Sequence, residues 1–199
     1  MESIGSKNRY LSEGTMSFIY LTHIIYIISN RIIVKKVLIF FVLASLSFSF
    51  THPVSSKKLP DITISDLQGK PVKIQEYAKQ SKITIMSFWA TWCAPCKREL
   101  DAISELYPEW MEAYDVRLVA ITIDNARALT QVKPLIEEKG WEFDVLVDNK
   151  QELQQGLNFQ AIPQTFVVDA EGNILYQHEG YTPGDEYELE KIIKELAAK

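Results

Sequence analysis

The 199-residue chain is 47% hydrophobic and 24% charged, which suits one globular domain with a core of its own; no internal repeat or low-complexity tract interrupts it. Two cysteines in so long a chain exclude a small disulfide-stapled scaffold, because a domain of this size buries enough apolar surface without staples. The first 50 residues hold five basic and two acidic residues, leaving 16 Lys and Arg against 24 Asp and Glu in 51–199, and a body of net charge −8 repels nucleic acid.

Residues 32–50, IIVKKVLIFFVLASLSFSF, place Lys35 and Lys36 before an apolar run that starts at Val37 and ends among small residues. That order predicts a secretory signal, with a retained membrane anchor as the alternative. The apolar stretch upstream, MSFIYLTHIIYIISNR, is surplus to a signal; 1–33 read as a start-site artefact, with translation opening at Val34, or as the first arm of a two-span hairpin. On each reading the remainder is delivered outside the cytosol. The expected organisation is 1–50 signal or anchor, 51–59 linker (Pro, Ser and Lys without periodicity), and 60–199 one domain.

Within that domain, ITI at 62–64 and VKI at 72–74 flank the turn-forming DLQGK and predict a short hairpin. Ile83–Phe88 is almost continuously apolar, as a strand covered on both faces must be. Lys97–Tyr114 carries Leu100, Ile103, Leu106, Trp110 and Met111 at helical spacing, and Val116–Ile123 is a second buried strand. Ala126–Lys139 has one apolar face, a kink or break at Pro134 and a C-cap at Gly140. Phe143–Val147 reads as extended, Lys150–Leu157 as a short helix, Thr165–Val168 and Ile174–Gln177 as a hairpin around DAEGN, and Glu186–Ala198 as an amphipathic helix. The order implies a central mixed β-sheet with helices on both faces, an α/β fold.

Both cysteines fall in WATWCAPC, where a buried strand hands over to a helix. There Cys93 meets free backbone N–H groups and the positive end of the helix dipole, which favour a thiolate. Cys96, one turn on, is close enough to attack a mixed disulfide formed at Cys93, the geometry of thiol-disulfide exchange. Pro95 suits a first turn that does not need its N–H, and Trp92 is either an apolar platform for a substrate or plain packing. A zinc site lacks further cysteine ligands, and a bridge closing so small a loop would be a poor staple.

WATWCAPC, taken with Ile162-Pro163-Gln164-Thr165-Phe166, resembles the thioredoxin fold and its exported TlpA/ResA-like thiol-disulfide oxidoreductases over roughly 60–198. The resemblance includes an N-terminal β-hairpin and an inserted segment between 124 and 160. It implies that Cys93 attacks, that Cys96 resolves, that the two form a redox-active disulfide, and that Pro163 is a cis-proline which, with Ile162, Trp92 and Pro95, shapes the substrate site. It further implies no metal and no cofactor, an extracytoplasmic protein disulfide as substrate, and a membrane thiol-disulfide electron donor as partner to a monomer.

Two positions depart from the family pattern: Ser87 stands where cytosolic thioredoxins bury an aspartate, and Ala94 where some exported members place a glutamate between the cysteines. Glu99 and Asp124 are candidates for the missing carboxylate by rough location, but each reads first as a surface charge. Lys97 and Arg98 read as a solvated pair, and Trp110, Trp141 and His178 as packing or surface residues. The function expected is reduction of disulfides in specific exported proteins, including cytochrome c maturation. The alternatives are a thiol peroxidase, disfavoured because Cys93 stands three before Cys96 where such a site carries Thr, and a client-binding module without turnover. A glutathione-dependent transferase finds no feature in its support.

Overall fold

A computed structural model of the chain describes residues 57–198, together with Tyr26. The expected signal or anchor, and the linker up to residue 56, lie outside them. No helix among the described residues is long and apolar enough to cross a membrane.

The strands are β1 (Thr63–Asp66), β2 (Pro71–Lys73), β3 (Ile83–Trp89), β4 (Val116–Thr122), β5 (Asp144–Val147), β6 (Gln164–Asp169) and β7 (Ile174–Glu179), and they form one sheet in the order β2-β1-β5-β4-β3-β6-β7. β3, β4 and β5 run parallel, and the flanking strands pair antiparallel. All seven residues of β3 are buried, as its apolar run requires of a strand paired on both edges. β1 and β2 make the expected hairpin, with Gly69 at φ 80° in its turn.

The helices are α1 (Ile74–Ala78), α2 (Ala94–Tyr114), α3 (Val132–Lys139), α4 (Glu152–Leu157) and α5 (Asp185–Ala197). Ser87, Trp89 and Thr165 belong to the sheet face beneath α2 and α5, while Phe88 and Phe166 lie on the other and pack against Phe159, which follows α4. Trp89 meets Trp141 edge to face at 5.3 Å between ring centroids, and Trp141 Nε1 donates to Asp101 Oδ1 on α2, 3.1 Å away. Trp110 and Trp141 are therefore packing residues.

Four local expectations change. The segment expected as one helix from Ala126 is a 3-10 turn, Ala128–Gln131, followed by α3; the break sets Pro134 in the first turn of α3, where its missing N–H costs little, and Gly140 closes the helix at φ 65°. Ile74 ends no strand but opens α1. On α2 the buried stripe is Cys96, Glu99, Leu100, Ile103, Tyr107 and Trp110, whereas Met111 is exposed. The fold also starts ahead of Pro60: Lys58 bridges Asn173, and Leu59 is buried in the core.

Candidate active site

β3 ends at Trp89, and the four residues that follow bring the chain round to α2. Buried Asp124, just past β4, holds this turn. Its carboxylate accepts from Thr91 N (2.8 Å), Thr91 Oγ1 (3.0 Å) and Thr122 Oγ1 (2.8 Å). Lys97 Nζ reaches back from α2 to donate to the Thr91 carbonyl at 3.0 Å. Lys97 is thus a fastener of the loop rather than half of a solvated pair, while Arg98 is exposed as expected.

Cys93 is the N-cap residue of the 21-residue α2, and the Cys96 amide donates to its sulfur at 3.3 Å. Pro95 sits in the first turn, which contains no acidic residue to oppose a negative sulfur. The Cys96 amide and the helix dipole therefore converge on Cys93, an arrangement that stabilises a thiolate there. Cys93 and Cys96 are joined by a disulfide; Cys96 is fully buried and Cys93 is 5% exposed.

Trp92 is 67% exposed, and its indole is not packing in the core. The Ile162-Pro163 peptide bond is cis, and the Ile162 carbonyl oxygen lies 3.9 Å from Cys93 Sγ. The structure thus brings the Ile162-Pro163 segment to the cysteine pair through the Ile162 carbonyl; Trp92 and Pro95 adjoin the cysteines in the chain, and Cys96 and Pro163 are buried.

The carboxylate absent from position 87 arrives from the helix. Ser87 Oγ donates to Glu99 Oε2 at 3.0 Å, and Thr165 Oγ1 donates to Glu99 Oε1 at 2.8 Å. Glu99 is 5% exposed, and Asp124 is fully buried, so neither is the surface charge expected. Burial pushes the Glu99 carboxyl up to about 7, against the hydroxyl hydrogen bonds and the His178 charge, which favour its ionised form. Glu99 lies one turn beyond Cys96 on the same buried stripe, and helical side chains lean toward the N-terminus, so the carboxyl is directed toward the Cys96 end. The clue was available: Glu99 falls between Cys96 and Ile103 in the apolar periodicity of α2, where a solvated charge does not belong.

The AhpC/TSA family profile matches residues 56–177. The chain is 24% identical over 175 residues to the thiol-disulfide oxidoreductase ResA of Bacillus thuringiensis subsp. konkukian, covering 84% of this chain and 97% of that protein. It is 30% identical over 125 residues to the thioredoxin-like protein YneN of Bacillus subtilis, covering 62% of this chain and 71% of that one. Among solved structures, a thioredoxin-like protein from Porphyromonas gingivalis superposes with a TM-score of 0.62 at 42% identity, over 70% of this chain and 92% of that one.

Proposed function

The chain belongs to the AhpC/TSA family and is a thiol-disulfide oxidoreductase of thioredoxin-like fold, and on that premise we propose that it reduces disulfides in specific proteins outside the cytosol. The observation that carries the reading is Cys93 as helix N-cap, its sulfur accepting from the Cys96 amide while Cys96 is buried beside it. Once the bridge is reduced, the Cys93 sulfur is the one favoured as a thiolate, while the fully buried Cys96 sulfur is withheld from solvent until the first has reacted.

In the proposed cycle the Cys93 thiolate attacks one sulfur of a client disulfide, forming a mixed disulfide and releasing the client's other sulfur as a thiolate. Cys96 then gives its proton to the Glu99 carboxylate and attacks Cys93 Sγ, expelling the second client thiolate. The client has gained two electrons, and the enzyme holds the Cys93–Cys96 disulfide. A dithiol donor at the membrane returns it to the dithiol by the reverse exchange, in which Glu99, protonated again, supplies the proton that the Cys96 sulfur takes as it leaves. A carboxyl near 7 is suited to both directions at neutral pH. Trp92 and the backbone at Ile162 and Pro163 serve as the docking surface for an extended client segment.

Export rests on the basic and apolar order of residues 32–50. The domain, which takes in Lys58 and Leu59 ahead of the expected start, acts as a monomer in the periplasm or on the outer face of the membrane, and apocytochrome c before haem attachment is the client class that the ResA resemblance favours. No cofactor is required, because the two cysteines carry both electrons.

The test is the reduction potential of the full chain, equilibrated with graded thiol buffers. A value of about −250 mV or below supports a reducing role, whereas one near about −120 mV makes the protein a disulfide donor and overturns the direction proposed. Rapid consumption of peroxide by the reduced protein would move the assignment to a peroxidase instead.

A further inference from the structure

The proton that Glu99 takes from Cys96 has to leave a side chain that is 5% exposed. Ser87 and Thr165 donate to this carboxylate and are buried themselves, so they orient it without opening a route to water. On the other side of Thr165 stands His178, its directly paired residue on β7. Cross-strand partners share a sheet face, so His178 lies on the Glu99 side of the sheet. Its side chain is 36% exposed, and its Nε2 lies 3.2 Å from Asp185 Oδ2 at the start of α5.

Between these groups is a small cavity whose wall includes Glu99, Thr165, His178, Tyr181 and Asp185. The space open to a water molecule's centre is about 10 Å³, at the lower limit for one water, which would find polar partners in Glu99, Thr165, His178 and Asp185 beside the apolar Ile103 and Leu189. We propose that His178, held by Asp185, is the solvent end of a proton path to Glu99, with a single water in this cavity as the link. The inference rests on the proposed role of Glu99 as the acceptor of the Cys96 proton.

The transfer balances as follows. With the Nε2 proton donated to Asp185, the lone pair of the neutral ring is on Nδ1. The Glu99 carboxylic acid gives its proton to the water, which passes one of its own to the imidazole; the ring, as imidazolium beside the Asp185 carboxylate, releases it to bulk solvent. Nothing is oxidised or reduced, and Glu99 is returned to the carboxylate. An imidazole is the side chain best suited to take and release a proton near neutrality.

Of the other ionisable neighbours, Glu186 also lines the cavity, with its Oε2 engaged by the Tyr181 hydroxyl and the Gly184 amide, and the two phenols do not release a proton in this range. The Tyr181 hydroxyl, already donating to Glu186 Oε2 at 3.0 Å, is pushed up to about 12 by burial and by the nearby carboxylates. Tyr176, stacked against His178, is likewise raised, by burial first and then by Glu188 and Asp185. Both phenols hold their protons through the range in which Glu99 titrates. Protonated His178 favours ionised Glu99 while Asp185 opposes it, so the two ends of the path are coupled electrostatically as well.

Rapid mixing of the reduced full chain with dithiobisnitrobenzoate, a chromogenic aromatic disulfide, separates the steps. Thiolate is released once when Cys93 attacks and again when Cys96 resolves. Below pH 7, where Glu99 starts as the acid and must lose its proton through the path before it can accept that of Cys96, His178→Gln is expected to slow the second release about tenfold and to displace its pH profile, with the first release as internal reference. His178→Ala leaves a ring-sized opening, and added imidazole is expected to restore its second phase. Glu99→Gln is expected to slow the second phase and to remove the response to imidazole when combined with His178→Ala. A wild-type second phase and pH profile in His178→Gln would overturn the path, as would a slow His178→Ala chain indifferent to imidazole. A wild-type second phase in Glu99→Gln would instead overturn the role of Glu99 itself, which keeps the two failures apart.

Discussion

Replacing Glu99 with Gln keeps the size and shape of the side chain and removes only its ionisation. In the folded protein burial holds the carboxyl at about 7, against the 4.5 of an ordinary glutamate. Between those values the native chain keeps a proton that the unfolded chain has lost, so the native state binds more protons and stability falls as pH rises through the window. At ~1.36 kcal/mol per pH unit the interval amounts to about 3 kcal/mol of stability, fully present well below pH 4.5 and lost as pH rises past 7. Solvent screening removes little of this, because the side chain is 5% exposed. A glutamine meets the Ser87 and Thr165 hydroxyls with one acceptor and one donor, and a hydroxyl can rotate to accept. Glu99→Gln is therefore expected to match the parent to within ~0.5 kcal/mol at pH 4.5 and to exceed it by about 3 kcal/mol at pH 8. Urea titrations of the oxidised proteins across that range, followed by tryptophan fluorescence, measure the difference. Parallel stability curves, separated by a constant amount at every pH, would refute the reasoning.

Other perturbations address the rest of the site. Cys96→Ser should trap a mixed disulfide between Cys93 and a client, seen as a reducible adduct by mass spectrometry; no adduct with any disulfide substrate would count against the exchange mechanism. Asp124→Ala leaves the Thr91 amide and two hydroxyls without their acceptor, and is expected to cost about 2–4 kcal/mol in chemical denaturation, with Asp124→Asn recovering part of it. Trp92→Ala removes an exposed ring, so Tm should stay within about 2 °C while the rate with a protein disulfide falls and that with a small aromatic disulfide does not.

What was legible in the sequence follows from what leaves a periodic mark. β3 and β4 announced themselves as continuous apolar runs, and the cysteines stood out because they sit where a strand gives way to a helix. Pro163 was legible as a motif residue, although it lies 70 positions from Cys93, and only the pairing of β3 with β6 puts it beside the sulfur. Glu99 and Asp124 were misread because charge is ordinarily a reliable sign of exposure; their hydroxyl partners, Ser87, Thr165, Thr91 and Thr122, come from three separate strands and a loop. His178 was passed over for the same reason: its relation to Thr165 exists only in the register of β6 and β7. The boundary of α3 shifted because Pro134 is harmless in a first turn and disruptive later, and sequence alone did not say which turn it occupied.

The two cysteines are neighbours in sequence, separated by three positions, and there is no third. A chain with one possible pairing has no disulfide isomers to sort, so it reaches its native connectivity without an isomerase. The bridge also ties together nothing that is distant: sheet pairing and the burial of Leu100, Ile103 and Trp110 hold α2 in place whether the bond is open or closed. Electrons can therefore enter and leave many times without the protein having to refold, and a catalyst of disulfide exchange avoids becoming a client of its own chemistry.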